Sequence, residues 1–308
     1  MSRTYPIGGG KGGSGKSFLT ANLGVLLAKQ GKRVVLVDLD LGGSNLHTFL
    51  ALRNPKRGLD DFLNRTYENL DHVAVPTVIP NLFLISSMNC SVEISNLFHA
   101  QKLKILKAIK ELPYDYILLD LGAGSNYNTL DFFLASNRGL FVITPEPTSI
   151  ENTFHFIRAV YFRKMNQVLK QRDFNAIVRN MDGFSEGMLI KSPLDVLDIL
   201  AKHHPEQEKI LHKHLEDLSF MFIINQFRRQ TDRTIGVKLK KVCNKHFFPR
   251  FEFLGNIGYD ERVHDAVYSR SIYMNKYPYS PTAVDLQHVA KTITDNGQNS
   301  VRPSLQIS

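Results

Sequence analysis

Residues 8–17 run Gly-Gly-Gly-Lys-Gly-Gly-Ser-Gly-Lys-Ser, and this stretch constrains the fold more than any other. A backbone so poor in Cβ atoms can adopt dihedrals closed to other residues and lie close against another group. From Gly10 the spacing is glycine, four residues, then Gly15-Lys16-Ser17. In a loop of that spacing the backbone N–H groups of Gly10, Gly12, Gly13, Ser14 and Gly15 turn inward around phosphate oxygens. Lys16 then reaches the β- and γ-phosphates, and the Ser17 hydroxyl ligates Mg²⁺. The helix that opens at this point, with Phe18 in its first turn, directs its positive end at the same anion. The expected unit is strand, loop, helix, and its expected ligand is a nucleoside triphosphate.

A second reading fits the same glycines. Gly10-x-Gly12-x-x-Gly15 satisfies the dinucleotide fingerprint, and acidic Asp38 follows at about the 20-residue interval that motif requires. A dinucleotide has no γ-phosphate and no metal for Lys16 and Ser17 to hold, so the triphosphate reading is preferred.

A phosphate loop needs one lysine, and Lys11 is a second, five residues before Lys16. The string Lys11–Ser17 resembles the deviant Walker A motif of the MinD/ParA family of ATPases. Other segments of that family recur downstream in order. Arg33-Val34-Val35-Leu36-Val37-Asp38-Leu39-Asp40 reads as a buried parallel strand ending in two carboxylates. It runs into Leu41-Gly42-Gly43-Ser44-Asn45-Leu46, similar to switch I. Tyr116–Asp120 followed by Leu121-Gly122-Ala123-Gly124 looks like Walker B and switch II, with Asp120 placed to hold Mg²⁺ beside Ser17. Pro145-Glu146-Pro147-Thr148-Ser149, Phe222–Gln226 and Phe253–Asp260 resemble three further family segments. The match covers about residues 8–160 and 218–293, with the closest look to the MinD-like, flagellar-number-regulator branch.

The resemblance implies roles. Lys11 would cross to the phosphates bound by a partner subunit, making ATP the switch of a homodimer. Asp40 would position and polarise the attacking water, Asp38 would support the site, and Asn225 would read adenine. A protein partner would stimulate an otherwise slow hydrolysis. The implied task is the positioning of flagellar, division or chromosomal machinery. On the same fold, ATP-dependent synthetases phosphorylate a small substrate, and this is the rival reading.

At 308 residues and 43% hydrophobic, the chain is long enough for one doubly wound domain. Apolar runs at 34–37, 82–85, 116–119, 140–143 and 220–224 alternate with helix-like segments, so the expected class is α/β, a mostly parallel sheet with helices on both faces. Leu19, Leu23, Leu26 and Leu27 recur at helical spacing after the loop, and Gly31 stands where a helix C-terminal cap belongs. Cys90 and Cys243 form no C-x-x-C pair, which argues against a disulfide framework, a zinc site or a bridged iron–sulfur cluster. Seven residues precede Gly8 and no apolar run approaches the roughly 20 residues of a membrane span, so a cytoplasmic protein is expected. The family's flagellar regulators carry an N-terminal extension that stimulates a partner GTPase, and its expected absence counts against a flagellar role.

Several segments depart from the pattern. Pro6 removes a ladder donor from the strand before the loop, predicting a short or distorted strand. Residues 163–217 read as a helical insertion: one helix capped by Ser192 with Pro193 at its first position, and another over 205–218 with Ile210, Leu211, Leu215 and Leu218 on one face. His203, His204, His212 and His214 lie within it and read as solvated side chains rather than metal ligands. The net charge is +9, and the surplus is concentrated between residues 158 and 250, most densely over 228–241 at Arg228, Arg229, Arg233, Lys238, Lys240 and Lys241. Such a face can hold DNA without sequence preference, can equally meet anionic lipid or an acidic protein, or can be a solvated helix face alone. A helix over 282–293 is expected to close the fold, followed by a disordered polar tail at 295–308 with no membrane-targeting helix. Tyr268, Tyr273, Tyr277 and Tyr279 are read as core and surface packing.

Overall fold

The computed structural model describes residues 2–90, 97–169, 193–247 and 250–299. Eight strands form one sheet: β1 (Arg3–Gly8), β2 (Val34–Leu39), β3 (Val75–Pro76), β4 (Leu82–Ile85), β5 (Tyr116–Leu121), β6 (Arg138–Ile143), β7 (Ser219–Phe227) and β8 (Phe251–Gly258). The order is β3-β4-β2-β5-β1-β6-β7-β8, parallel throughout except at the short edge strand β3. Strands buried on both faces are apolar at nearly every position, and β2 and β5 are buried along their whole length. Every apolar run expected as a strand is one.

Side chains alternate across the sheet and feed two cores. Val34 and Leu36 of β2 pack with helix α1 (Lys16–Lys29), while Val35 and Val37 face helices α4 (His99–Lys110), α5 (Tyr127–Phe133) and α6 (Pro147–Leu169). Between β2 and α4 lie the short helices α2 (Leu46–Phe49) and α3 (Leu59–Leu63). Helix α1 is buried from Phe18 to Ala28 because the sheet covers one side and the C-terminal helix α12 (Pro281–Asn299) another. It ends at Gly31, whose φ of +78° is open to glycine and whose N–H reaches the Ala28 carbonyl at 2.9 Å.

Strand β1 corrects one expectation. It is six residues long and pairs with β5 from Arg3 to Ile7, Pro6 included. The missing Pro6 donor falls on the other side, where the ladder to β6 is confined to Ile7 and Gly8. A proline therefore sits in a central strand because only one of its two ladders needed that stretch.

The expected insertion is helical where it is described. Residues 163–169 belong to the long helix α6, and two helices follow, α7 (Pro193–His203) and α8 (Pro205–Glu216). Ser192 lies outside the described residues, and so does the expected cap. Leu211 and Leu215 are buried as expected, but Ile210 is 55% exposed, and Leu218 is buried beyond the end of the helix. His212 lies between Glu208 and Glu216 at 3.0 and 3.4 Å. No cluster of three or more potential metal ligands occurs among the described residues.

Helix α9 (Ile235–His246) buries Gly236, Leu239 and Cys243 and presents Lys238, Lys240, Lys241 and Lys245 outward. Helices α10 (Arg262–Tyr268) and α11 (Tyr273–Lys276) lead to α12, which runs through Gly297 to Asn299, past the point where a tail was expected to begin. Residues 300–308 lie outside the described residues. Of the four late tyrosines, Tyr273 is buried, whereas Tyr268 and Tyr279 are 86% and 92% exposed. No described helix is long and apolar enough to cross a membrane.

Candidate nucleotide site

The carboxyl ends of β1, β2, β5, β6, β7 and β8 all open on one edge of the sheet, where ligands of open α/β sheets bind. A cleft of about 550 Å³ lies there, running from Gly12 and Lys16 past Phe18 to Asn225 and Tyr259. The phosphate loop fills the turn between β1 and α1. A Cβ on Gly10 would stand 2.2 Å from the Asn152 carbonyl oxygen, so the loop packs directly on the first turns of α6. Gly15 has φ +88°, and a Cβ there would meet the Asn225 amide at 2.2 Å. These two glycines are required by close approach and by backbone conformation.

Lys16 is buried at the head of α1, where burial holds its amine below the usual lysine range against the pull of Asp120 and Asp40. Asp120 is the penultimate residue of β5, wholly buried. Thr20, one helical turn after Lys16, donates to its Oδ1 at 3.2 Å, and its Oδ2 has no partner among the described residues. Burial, with Asp38 as a second cause, pushes the Asp120 carboxyl up to about 7. The Ser14 hydroxyl is likewise buried without a partner. A hydroxyl at Ser17 and an orphaned carboxylate oxygen at Asp120 are the hard oxygen donors Mg²⁺ takes, so the residues present fit that ion.

Asp38 does a different job from the one its spacing suggests for a dinucleotide. Its side chain is buried and accepts from the Asp40 N–H (3.1 Å), the Ser44 hydroxyl (2.7 Å) and the Leu46 N–H (3.3 Å). It fastens the loop after β2, is fully buried and does not line the cleft, so it offers no oxygen to a ribose there, which counts against the dinucleotide reading. Burial raises its carboxyl to about 6. Asp40 lines both the main cleft and a second, of about 470 Å³, between Leu41-Gly42 and Gly122-Ala123. The two switch-like loops thus face each other across Asp40.

Lys11 stands apart from these groups. Its side chain is 43% exposed, with Glu146 at 3.9 Å and the Thr148 hydroxyl at 3.4 Å. Asn225 lines the cleft, and its Nδ2 donates to the Ser14 carbonyl at 2.8 Å. Phe18 lies under the cleft with its ring edge against Phe49 and Tyr273.

Three participants went unread in the sequence. Thr20 carried a signal, being four residues after Lys16 and hence on the same helix face. Gln226 carried none, because its reach depends on a local backbone excursion. The third is a buried network: Asp131 on α5 contacts Lys102 of α4 and accepts from Arg163 Nε (2.6 Å) and a second guanidinium nitrogen (2.8 Å) of α6. It ties the helix after Gly122–Gly124 to both neighbours.

The profile of the CobQ/CobB/MinD/ParA nucleotide binding domain matches residues 6–271. The antiactivator FleN of Pseudomonas aeruginosa is 27% identical over 288 residues, 93% of this chain and 84% of that protein. The septum site-determining protein MinD of Helicobacter pylori is 34% identical over 155 residues, half of this chain and 57% of that one. In structure, MinD of Pyrococcus horikoshii complexed with Mg-ADP superposes with a TM-score of 0.65 at 20% identity, covering 98% of this chain and 100% of that chain. Matched by that profile over most of its length and folded as MinD folds, the chain belongs to the CobQ/CobB/MinD/ParA nucleotide-binding family.

Proposed function

We propose that the protein is a Mg²⁺-dependent ATPase that dimerises around ATP and serves as a switch in the spatial organisation of flagellar, division or chromosomal machinery. One observation carries the reading: Lys16, Asp120 and Asp40 converge on the glycine loop, while the extra lysine, Lys11, projects from it half-exposed. The relatives support the coarser half, since FleN and MinD lie in the same family.

In this reading the loop N–H groups and Lys16 bind the β- and γ-phosphates of ATP. Ser17 and Asp120 would hold Mg²⁺, which would supply positive charge to the phosphate oxygens. Asp40 orients the attacking water, and Asp38 holds the backbone that carries Asp40. Asn225, which lines the cleft beside the phosphate loop, would read adenine. Lys11 completes the site of the second subunit, so turnover stays slow until dimer and partner protein are in place. The reaction requires no further metabolite, which separates it from a synthetase. The exposed cations of 228–241 are the surface offered to DNA, and the protein acts in the cytoplasm.

Solution mass by light scattering tests the proposal, on wild type, Asp40→Ala and Lys11→Ala with Mg-ATP and with Mg-ADP. Asp40→Ala should double in mass with ATP alone, and Lys11→Ala should remain a monomer with ATP bound. Monomers throughout would overturn the dimer switch.

A further inference from the structure

The last two side chains before the end of β7 both turn to the phosphate loop. Asn225 Nδ2 donates to the Ser14 carbonyl and Gln226 Nε2 to the Gly13 carbonyl, each at 2.8 Å. A loop whose N–H groups turn inward to an anion turns carbonyls outward, and those need donors from elsewhere. Two successive carbonyls are here supplied by two successive residues. In a regular strand that is impossible, because neighbouring side chains point to opposite faces. Gln226 escapes the alternation through a φ of +56°, in the left-handed region that residues with a Cβ seldom enter. The β7–β8 pairing shifts register at the same place, between Ile224 and Phe227. Strain of this kind persists where the surroundings enforce it, and it gathers at functional sites.

We infer that Gln226 is a positioning residue for nucleotide binding. Its amide holds the Gly13 carbonyl outward, so that the loop N–H groups already face the phosphate position before a nucleotide arrives. The inference rests on the nucleotide reading above and adds a residue to it. Preorganisation of this kind acts on binding and leaves the chemical step alone. Removing it should raise KM and nucleotide Kd with kcat at saturation unchanged.

The test uses the full chain as wild type, Gln226→Met and Gln226→Gly. Methionine keeps length and volume but cannot donate, and glycine also relieves the backbone strain. Titration calorimetry with Mg-ATP and with Mg-ADP should show Kd raised about five- to tenfold in both variants, the worth of one hydrogen bond. Amide exchange of Gly13–Gly15 in the nucleotide-free protein should quicken in both, with melting temperature held within about 2 °C for a change confined to one loop. Affinity and loop exchange like wild type in Gln226→Met overturn the inference. So does a loss of affinity matched by a general loss of stability in both variants. A wild type that binds no nucleotide sinks the functional reading instead, and the exchange measurement then decides the bracing alone.

Discussion

Asp38 and Asp120 stand directly opposite each other in the register of β2 and β5, both buried. Neighbouring parallel strands point such residues to the same side, so two carboxylates share one dry space at the foot of the phosphate loop. Burial raises both, Asp38 to about 6 and Asp120 to about 7. The folded protein therefore binds protons more tightly than the unfolded chain, whose carboxylates titrate near 3.8. Stability from this pair is fully present below that value and is lost as pH rises through about 6 to 7. In the nucleotide-free protein, Asp120→Asn should stabilise the fold at pH 8 by roughly 1–3 kcal/mol and flatten the decline between pH 5 and 8. Thermal melts across that range check it. The same substitution should weaken the Mg²⁺-dependent part of nucleotide affinity, which is the reason for keeping a costly pair.

Lys16 carries the phosphate reading most directly. Lys16→Ala should remove ATP and ADP binding to below the detection of a fluorescent-nucleotide titration, with the fold intact by circular dichroism. Retained affinity would remove the phosphate-loop assignment altogether.

In the monomer Lys11 is held by Glu146, on the turn after β6, and by Thr148, in the first turn of α6. A half-exposed pair at 3.9 Å is a weak restraint, and it competes with any reach across a dimer. Glu146→Gln should tighten ATP-dependent dimerisation by less than about fivefold, in line with an exposed ion pair. Sedimentation equilibrium with Asp40→Ala as background would read it. Weaker dimerisation would mean that Glu146 helps to aim Lys11 instead.

Much of this was legible because the sequence states it locally. The phosphate loop, the paired acids Asp38 and Asp40 and the apolar strands are each encoded within a few consecutive residues. What escaped depends on distant partners or on backbone detail. Pro6 looked disruptive because the strand does not say which of its two ladders is long. Gln226 became part of the site through one left-handed φ, which a glutamine does not advertise. Ile210 has the helical spacing of Leu211 and Leu215, yet it lies on the solvent side of α8. Asp131 is one acid among many until Lys102 and Arg163 are brought to it from 29 and 32 residues away.

The cations of α9 and the turn before it offer a test in salt. If they meet duplex DNA, log affinity should fall linearly with log salt, by about one unit of slope for each phosphate contacted. The triple substitution Lys238, Lys240 and Lys241→Ala should then lower the slope by about three. Lys238 is paired on the surface with Asp232 at 2.8 Å, so its share should be reduced. Fluorescence anisotropy with a random-sequence duplex measures this, and absence of binding by wild type at 50 mM salt would assign the face to another partner.

Asp131 is only 5% exposed and balances two cations, Lys102 beside it and the Arg163 guanidinium clasping it from α6. Burial alone would raise its carboxyl, but Arg163 and Lys102 outweigh burial and hold it below the usual range. It therefore contributes stability that is present above the unfolded carboxylate range and lost as pH falls through its lowered folded value. Removing the acid leaves two like charges in a dry space, so Asp131→Ala should cost about 3–5 kcal/mol in urea unfolding. Replacing the trio by apolar residues of similar size should cost far less, because the desolvation that the ion cluster demands disappears with it. The apolar trio also separates stability from switching. Asp131 sits on α5, directly after the loop that faces Asp40, and the cluster pins α5 to α4 and α6. A stable apolar variant with normal ATP affinity but altered ATP-dependent dimerisation would show that the cluster sets the position of α5. Unchanged dimerisation would reduce it to a strut.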